Sequence, residues 1–213
     1  MLNGVTRGAD HFHTDSPVVR GMGLVTAMAA LMWVVEIVDQ VAGGRLDAYG
    51  IEPREAEGLD GVVLAPFLHA GFDHLIGNTI PFLVLGFAIA FGGVVRVAVV
   101  TVVVALVGGL GTWLVAPANT VHIGASGIVF GYAAYLVARG VYSRRPLQIG
   151  LGVVVLVVWG ATLLQGLVPE DGISWQGHLF GAVGGVLAAR LLHRGGAPRG
   201  GGGQPVRPKL SRI

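Results

Sequence analysis

The chain has 213 residues, of which 53% are apolar and only 12% are charged, and its mean hydropathy is +0.72. Such a composition excludes an ordinary soluble domain and is typical of a polytopic membrane protein. The absence of cysteine excludes disulfide bonds, a thiol nucleophile and thiolate metal ligands, and the net charge of +2 becomes informative only once the charges are placed along the chain.

The first twenty residues are polar and are not predicted to form a signal peptide, because the apolar segment after them is long and lacks a small-residue cleavage site. That segment, residues 21–41, is predicted to be the first membrane-spanning helix, although Glu36 and Asp39 shorten its apolar part. A polar to amphipathic stretch follows over 42–73. We expect its second half, 59–72, to lie half embedded at the membrane surface.

Five further apolar segments lie at 74–91, 94–115, 126–141, 147–168 and 176–192. Most of them approach the ~20 residues needed to cross the hydrocarbon core. We therefore predict an all-α polytopic membrane protein whose single domain, residues 21–193, is a bundle of six transmembrane helices. Residues 1–20 are predicted to form a cytoplasmic N-terminal segment, and residues 194–213, rich in glycine, proline and arginine, a disordered basic cytoplasmic tail.

The distribution of charge predicts the orientation. With six spans, both termini lie on one side, which then holds twelve of the fourteen basic residues, all except Arg45 and Arg54. The opposite side holds ten of the twelve acidic residues, all except Asp10 and Asp15. An odd number of spans would destroy this separation. The positive-inside rule therefore places both termini in the cytoplasm, in what we expect to be a prokaryotic plasma membrane.

Two polar residues lie at the beginning of apolar segments, where polar groups are costly and indicate function. Ser126 opens the fourth segment, within Gly124-Ala-Ser-Gly127, and His178 opens the sixth, within Ser174-Trp-Gln-Gly-His178. Each is twelve or thirteen residues before the arginine at the inner end of its segment, so both lie roughly 20 Å above that end. Small residues on both parallel helices would allow them to meet. Serine and histidine are the minimum pair for nucleophilic catalysis.

A second polar pair is predicted at the same depth. His74 and Asn78 are spaced i, i+4 and therefore share one face of the second apolar helix, near its outer end. Both carry hydrogen-bond donors, and beside an activated serine such donors would stabilise the oxyanion of an acyl-transfer intermediate. The backbone N–H of Ser126, at the start of its helix, is a third donor.

With these residues the sequence resembles the rhomboid family of intramembrane serine proteases. The resemblance covers residues 46–189 and rests on five motifs in the expected order: Tyr49-Gly-Ile-Glu-Pro-Arg54, Ala65-Pro-Phe-Leu-His69, His74-x-x-x-Asn78, Gly124-Ala-Ser-Gly127 and His178-x-x-Gly181. It implies a catalytic dyad of Ser126 and His178, oxyanion stabilisation by His74 and Asn78, and cleavage of substrate transmembrane segments near their outer ends.

One position departs from the family pattern. The residue one helical turn after the serine is often a tyrosine that packs on the catalytic histidine, and here it is Phe130. Its ring can still stack on His178 but lacks the hydroxyl. The resemblance implies transmembrane protein substrates as partners within the lipid bilayer, and we expect no nucleic-acid partner, no metal and no cofactor.

Two other functions compete with the protease. A catalytically inactive relative that binds membrane clients would be marked by loss of the serine or the histidine, and both are present. A small transporter or metal channel could use His74, His122 and His178, but the sequence has no internal repeat of the kind found in many transporters. A metalloprotease would carry His-Glu-x-x-His on a helix, and this motif is absent.

Overall fold

The computed structural model describes residues 16–194, so most of each predicted terminal segment, 1–20 and 194–213, lies outside the described residues. The described part consists of helices joined by loops. The α-helices are α1 (Pro17–Ala42), α2 (Gly61–Leu64), α3 (Phe72–Ala90), α4 (Val94–Val115), α5 (Ser126–Ser143), α6 (Pro146–Gln165) and α7 (Trp175–Arg194).

Six of these helices correspond to the six predicted segments, with ends shifted by local chemistry. The first begins four residues earlier than predicted, because Ser16 accepts a hydrogen bond from the Val18 N–H and Pro17 at the first helical position fixes a helical φ. It ends at Ala42 and is capped by Gly43, whose φ of +75° is readily adopted by glycine.

Four helices are long and apolar enough to cross a membrane, namely α1, α3, α4 and α6. The described helices α5 and α7, which carry Ser126 and His178, do not reach that level. The predicted count of six spans is therefore not confirmed by hydropathy.

The helix α6 is the most exposed, with Val157 79% and Leu164 72% accessible, whereas α5 buries half of its residues. A helix surrounded by protein needs less hydrophobicity than one that faces lipid.

The helices α4, α5 and α7 pack closely through glycine. A Cβ atom at Gly127 of α5 would lie 3.2 Å from the Gly177 carbonyl oxygen of α7, and one at Gly131 would lie 2.9 Å from the Gly181 oxygen. From α4, a Cβ atom at Gly108 would lie 3.4 Å from the Gly181 Cα. Backbones this close leave no room for larger side chains, and they bring the outer ends of α5 and α7 together.

The long first loop, residues 43–71, is fixed to the outer ends of α4 and α5. Ile51 and His122 form an isolated antiparallel bridge, and the Arg54 guanidinium donates to the Ala116 carbonyl beyond the end of α4 (2.7 Å). The Trp113 indole in turn donates to the Glu55 carbonyl (2.8 Å). The loop includes 3-10 helices at Leu46–Tyr49, Glu57–Leu59 and Ala65–Phe67.

Candidate active site

Ser126 and His178 meet where α5 and α7 begin. Ser126 is the first residue of α5, and His178 lies in the first turn of α7. The Ser126 Oγ is 2.8 Å from the His178 Nε2. The imidazole is 8% exposed and the serine is half-buried. The predicted approach of these two residues is thus found at hydrogen-bond distance.

Two neutral groups hold the His178 ring. Its Nδ1 lies 2.7 Å from the carbonyl oxygen of Gly166, just after α6, and its face stacks on Phe130 with ring centroids 4.0 Å apart and planes 5° apart. A carbonyl only accepts, so Nδ1 donates and carries the proton of the neutral ring. The Nε2 is then unprotonated and accepts from the Ser126 hydroxyl. The sequence predicted the stacking of Phe130 on the ring but did not identify the Gly166 carbonyl.

His74 and Asn78 lie beside the turn that precedes Ser126. A Cβ atom at Gly124, whose φ is +109°, would lie 2.8 Å from the His74 Nε2 and 3.7 Å from the Asn78 Nδ2. Glycine at this position therefore permits the backbone conformation and leaves the space that these side chains use. The predicted donors are gathered around the start of α5.

The hydrogen bonds of His74 and Asn78 indicate which protons remain available. The Ala70 N–H donates to the His74 Nδ1 (3.4 Å), so the ring proton of a neutral His74 is on Nε2, the ring nitrogen that would lie 2.8 Å from a Cβ atom at Gly124. The Asn78 amide uses one N–H on the His74 carbonyl (3.1 Å) and retains a second. The N–H groups of the first turn of α5 have no partner within the helix. The arrangement can therefore stabilise negative charge that develops next to Ser126.

His69 supports the backbone just before the serine. Its Nε2 accepts a hydrogen bond from the Ala125 N–H (3.3 Å), and the Gly124 N–H donates to the Ala65 carbonyl (2.8 Å). Burial, and secondly the neighbouring His74, lower the pKa of His69 to about 4, so the ring is neutral at pH 7 and can accept. This contact connects the first loop to α5.

His122 and Ser174 form a second serine–histidine contact near the site. The Ser174 Oγ lies 2.7 Å from the His122 Nδ1, and the Thr120 Oγ1 lies 2.8 Å from the His122 Nε2. Burial lowers the pKa of His122. The pair joins the α4–α5 loop to the α6–α7 loop, a contact that the sequence analysis did not predict because both residues lie in loops.

A small cavity lies beside Ser126. Its volume is about 50 Å³, and its lining includes Gly108, Gly109, Gly127 and Gly177 together with the His122–Ser174 pair. A cavity of this size has room for a few water molecules, which acyl-enzyme hydrolysis requires.

The histidines of the competing channel hypothesis are not arranged as a ligand set. His74, His122 and His178 each contact a different group, the Ala70 N–H, Ser174 and Ser126 respectively. Within residues 16–194, no group of three or more His, Asp or Glu side chains is placed to hold a metal ion.

The fold and site define a helical membrane protein with a serine–histidine pair at the start of two glycine-packed helices. A family model, the rhomboid domain, matches residues 57–195. The chain therefore belongs to the rhomboid family, which confirms the resemblance drawn from its motifs.

Two mycobacterial proteins and one Bacillus subtilis protein are similar to this chain. An uncharacterized protein of Mycobacterium tuberculosis is 47% identical over 184 residues, which cover 82% of this chain and 76% of that protein. An uncharacterized protein of Mycobacterium leprae is 44% identical over 183 residues, covering 82% and 72%. The Bacillus subtilis protein "Putative rhomboid protease YdcA" is 27% identical over 125 residues, covering 58% and 62%.

Proposed function

We propose that the chain is an intramembrane serine endopeptidase that cleaves transmembrane segments of membrane-protein substrates near their outer ends. The observation that carries the proposal is the 2.8 Å contact between Ser126 Oγ and His178 Nε2, with the opposite ring nitrogen on the Gly166 carbonyl. This is the tautomer that a general base requires, and membership of the rhomboid family supports the same chemistry.

In this mechanism His178 takes the Ser126 proton while Oγ attacks the scissile carbonyl carbon. The imidazolium then gives that proton to the leaving amine, and the C–N bond breaks to leave an acyl-enzyme. A water molecule, deprotonated by His178, attacks the ester and releases the second product with regeneration of Ser126. The Gly166 carbonyl keeps the Nδ1 proton in place throughout.

The tetrahedral intermediate places a negative oxygen next to the start of α5. The donors available to it are the His74 Nε2–H, the free N–H of the Asn78 amide and the backbone N–H of Ser126. We assign His74 and Asn78 to oxyanion stabilisation and Phe130 to packing on His178.

The proposed topology has six spans with both termini in the cytoplasm. The domain then comprises residues 21–193, preceded by a polar segment, 1–20, and followed by a basic tail, 194–213. Its support is the separation of twelve basic from ten acidic residues described above. In this orientation the Ser126 end of α5 faces the outer side of the plasma membrane. Green fluorescent protein fused after Ile213 is expected to fluoresce, because the C-terminus lies in the cytoplasm. Activity of a periplasmic reporter fused at the same position would overturn the topology.

The activity is tested by incubating purified wild-type protein and its Ser126→Ala variant with a panel of single-span substrates. Wild type is expected to cleave at least one substrate and to react with a serine-directed fluorophosphonate. The variant should do neither, with unchanged melting temperature in detergent. Equal cleavage by both proteins would contradict the proposal. Substrate binding without cleavage or labelling by wild type would favour the alternative of an inactive client-binding relative.

A further inference from the structure

A second cavity lies at the other end of the bundle from Ser126. It has a volume of about 420 Å³ and is bordered by Arg96, Tyr135, Arg139, Tyr142, Arg145 and Gln148. Arg139 follows Ser126 by thirteen residues along α5, which is roughly 20 Å along the helix. The cavity is therefore separate from the candidate active site.

Its walls come from several helix ends. Arg96 is in the first turn of α4, Arg139 is near the end of α5, and Arg145 lies in the short turn between α5 and α6. Gln148 is in the first turn of α6, and α7 contributes His193. An occupant would contact all four of these helices. Since α6 packs mainly on α5, such an occupant would add a link between α6 and α4.

Three guanidinium groups face this space without a carboxylate. Every acidic residue within 16–194 belongs to the second half of α1, the first loop, the first turn of α3 or the α6–α7 loop, and none of them borders the cavity. Like charges that converge in a partly desolvated site repel one another unless an anion enters. Guanidinium groups match phosphate oxygens in both charge and fork geometry.

The site is partly preformed. The Arg96 side chain lies over the α3–α4 turn, where a Cβ atom at Gly92 would be 2.7 Å from its Nη1. Tyr135 is 1% exposed, so its hydroxyl is held at the cavity wall. The Gln148 Oε1 is buried without a hydrogen-bond donor in the described part of the chain, which a hydroxyl group on the occupant would supply.

Exposed apolar residues adjoin the cavity residues along the chain. Val95 is 71% exposed, Leu147 77% and Leu191 58%, and each is the chain neighbour of a residue that borders the cavity. Side chains with similar exposed fractions occur along all the long helices, and next to a cationic cavity they are compatible with the acyl chains of a lipid whose anionic headgroup enters it.

We propose that this cavity binds a phosphate group, supplied by an anionic phospholipid with a hydroxylated headgroup or by free phosphate. Arg96, Arg139 and Arg145 neutralise its charge, and Tyr135 donates a hydrogen bond to it. The bound group holds the inner ends of α4, α5, α6 and α7 together. Binding does not depend on the reactivity of Ser126.

The test measures the melting temperature of the purified full-length protein in neutral detergent during titration with phosphatidylglycerol, phosphatidylcholine or inorganic phosphate. Phosphatidylglycerol should raise the melting temperature in a saturable manner, and phosphatidylcholine should not. A shift with inorganic phosphate that reaches the same plateau would identify free phosphate as sufficient. A shift confined to phosphatidylglycerol would identify the lipid headgroup. Equal shifts with both lipids and none with phosphate would overturn the proposal.

Variants separate this site from general attraction to anionic lipid. Arg96→Gln and Arg139→Gln should each raise about tenfold the phosphatidylglycerol concentration that gives half of the melting-temperature shift. Each substitution removes one charge-assisted hydrogen bond to the bound group. Arg190→Gln removes the same charge from an exposed position of α7 outside the cavity and should titrate like wild type. If a cavity variant does not fold, Arg145→Gln in the exposed turn gives the same test.

If Arg190→Gln lowers the affinity for phosphatidylglycerol as much as the cavity variants do, the assignment of the binding site to this cavity is wrong. Ser126→Ala should titrate like wild type, so failure of the protease assignment would leave this result unaffected.

Discussion

His178 is oriented by neutral groups, a backbone carbonyl and an aromatic ring. An ionised carboxylate at this depth would require costly desolvation, whereas a carbonyl already belongs to the backbone and carries no net charge. The Gly166 oxygen fixes the tautomer and Phe130 fixes the plane of the ring. A carbonyl stabilises an imidazolium less than a carboxylate does, so we expect this base to be weaker than in a serine–histidine–aspartate triad.

Gly166→Ala should impair turnover more than folding. A Cβ atom there would lie 2.6 Å from the Phe130 Cζ and 3.0 Å from the His178 Nδ1, so either the rings or the carbonyl must move. A misplacement of this size at a reacting group predicts a loss of roughly 10- to 100-fold in kcat. The measurement is cleavage rate together with melting temperature in detergent.

Gly160→Ala is the matched control, because a Cβ atom at Gly160, also in α6, meets nothing within 4 Å. It should leave turnover unchanged. Full activity of Gly166→Ala would show that this carbonyl does not orient His178.

His74→Ala and Asn78→Ala should each lower kcat while leaving KM nearly unchanged, because their donors are needed where charge develops. Loss of one oxyanion donor in soluble hydrolases costs about 10²–10³ in rate. We expect a smaller loss, about 10- to 100-fold, since three donors share the charge here.

Thr79→Val is the control on the same helix and should keep the wild-type kcat, since the Thr79 hydroxyl contacts the Trp33 indole (3.1 Å). If both alanine variants keep the wild-type kcat, His74 and Asn78 only pack between helices.

A sequence reveals a candidate site residue when the residue's own side chain would carry the proposed role. The proximity of Ser126 to His178, and of His74 and Asn78 to the turn before Ser126, could be predicted because each is a polar side chain in an apolar segment. Gly166 could not, since it contributes a backbone carbonyl that every residue possesses. The His122–Ser174 contact could not be predicted either, because it depends on how two loops fold over the site.

At the scale of elements, the prediction was accurate where hydropathy decides the structure. The helix α4 has the predicted bounds, 94–115, because it is uniformly apolar. The short helices within 42–73 were not predicted individually, since three or four residues are too few to show a period. The helices α5 and α7 were identified by their pattern, but polar and charged side chains such as Arg139 in α5 and Gln176 and Arg190 in α7 lower their hydropathy below that of the other four.

The His122–Ser174 contact connects two loops above the candidate site. Ser174→Ala removes this connection and should free the α6–α7 loop, so we expect kcat/KM for a membrane substrate to rise about two- to fivefold. The melting temperature should fall by a few degrees, since one hydrogen bond contributes about 0.5–1.5 kcal/mol.

Thr120→Val leaves the His122–Ser174 contact in place and is the control for Ser174→Ala. A lower kcat for Ser174→Ala, with unchanged stability, would mean that the pair positions the start of α7 instead of restraining the α6–α7 loop.

For the whole molecule, the attachment of the first loop to the helix bundle should depend on pH. The His69 Nε2 accepts the Ala125 N–H only while it is unprotonated. Its pKa is about 4 in the folded protein, against an ordinary value of 6.5, so the folded state binds fewer protons below pH 6.5. The resulting stability is fully present above pH 6.5 and is lost as the pH falls towards and below 4, with a total of about 3 kcal/mol.

We therefore expect the melting temperature in detergent to fall between pH 6.5 and 4. His122 acts in the same direction, because burial lowers its pKa as well. Asp47 acts in the opposite direction. Burial and its neighbours Asp39 and Glu36 raise its pKa to about 6, so protonation removes an unfavourable charge from the folded state.

His69→Gln separates these contributions, since the glutamine amide oxygen can accept the Ala125 N–H without titrating. The variant should show a smaller decrease than wild type, and identical pH profiles would mean that His69 does not couple protonation to the first loop.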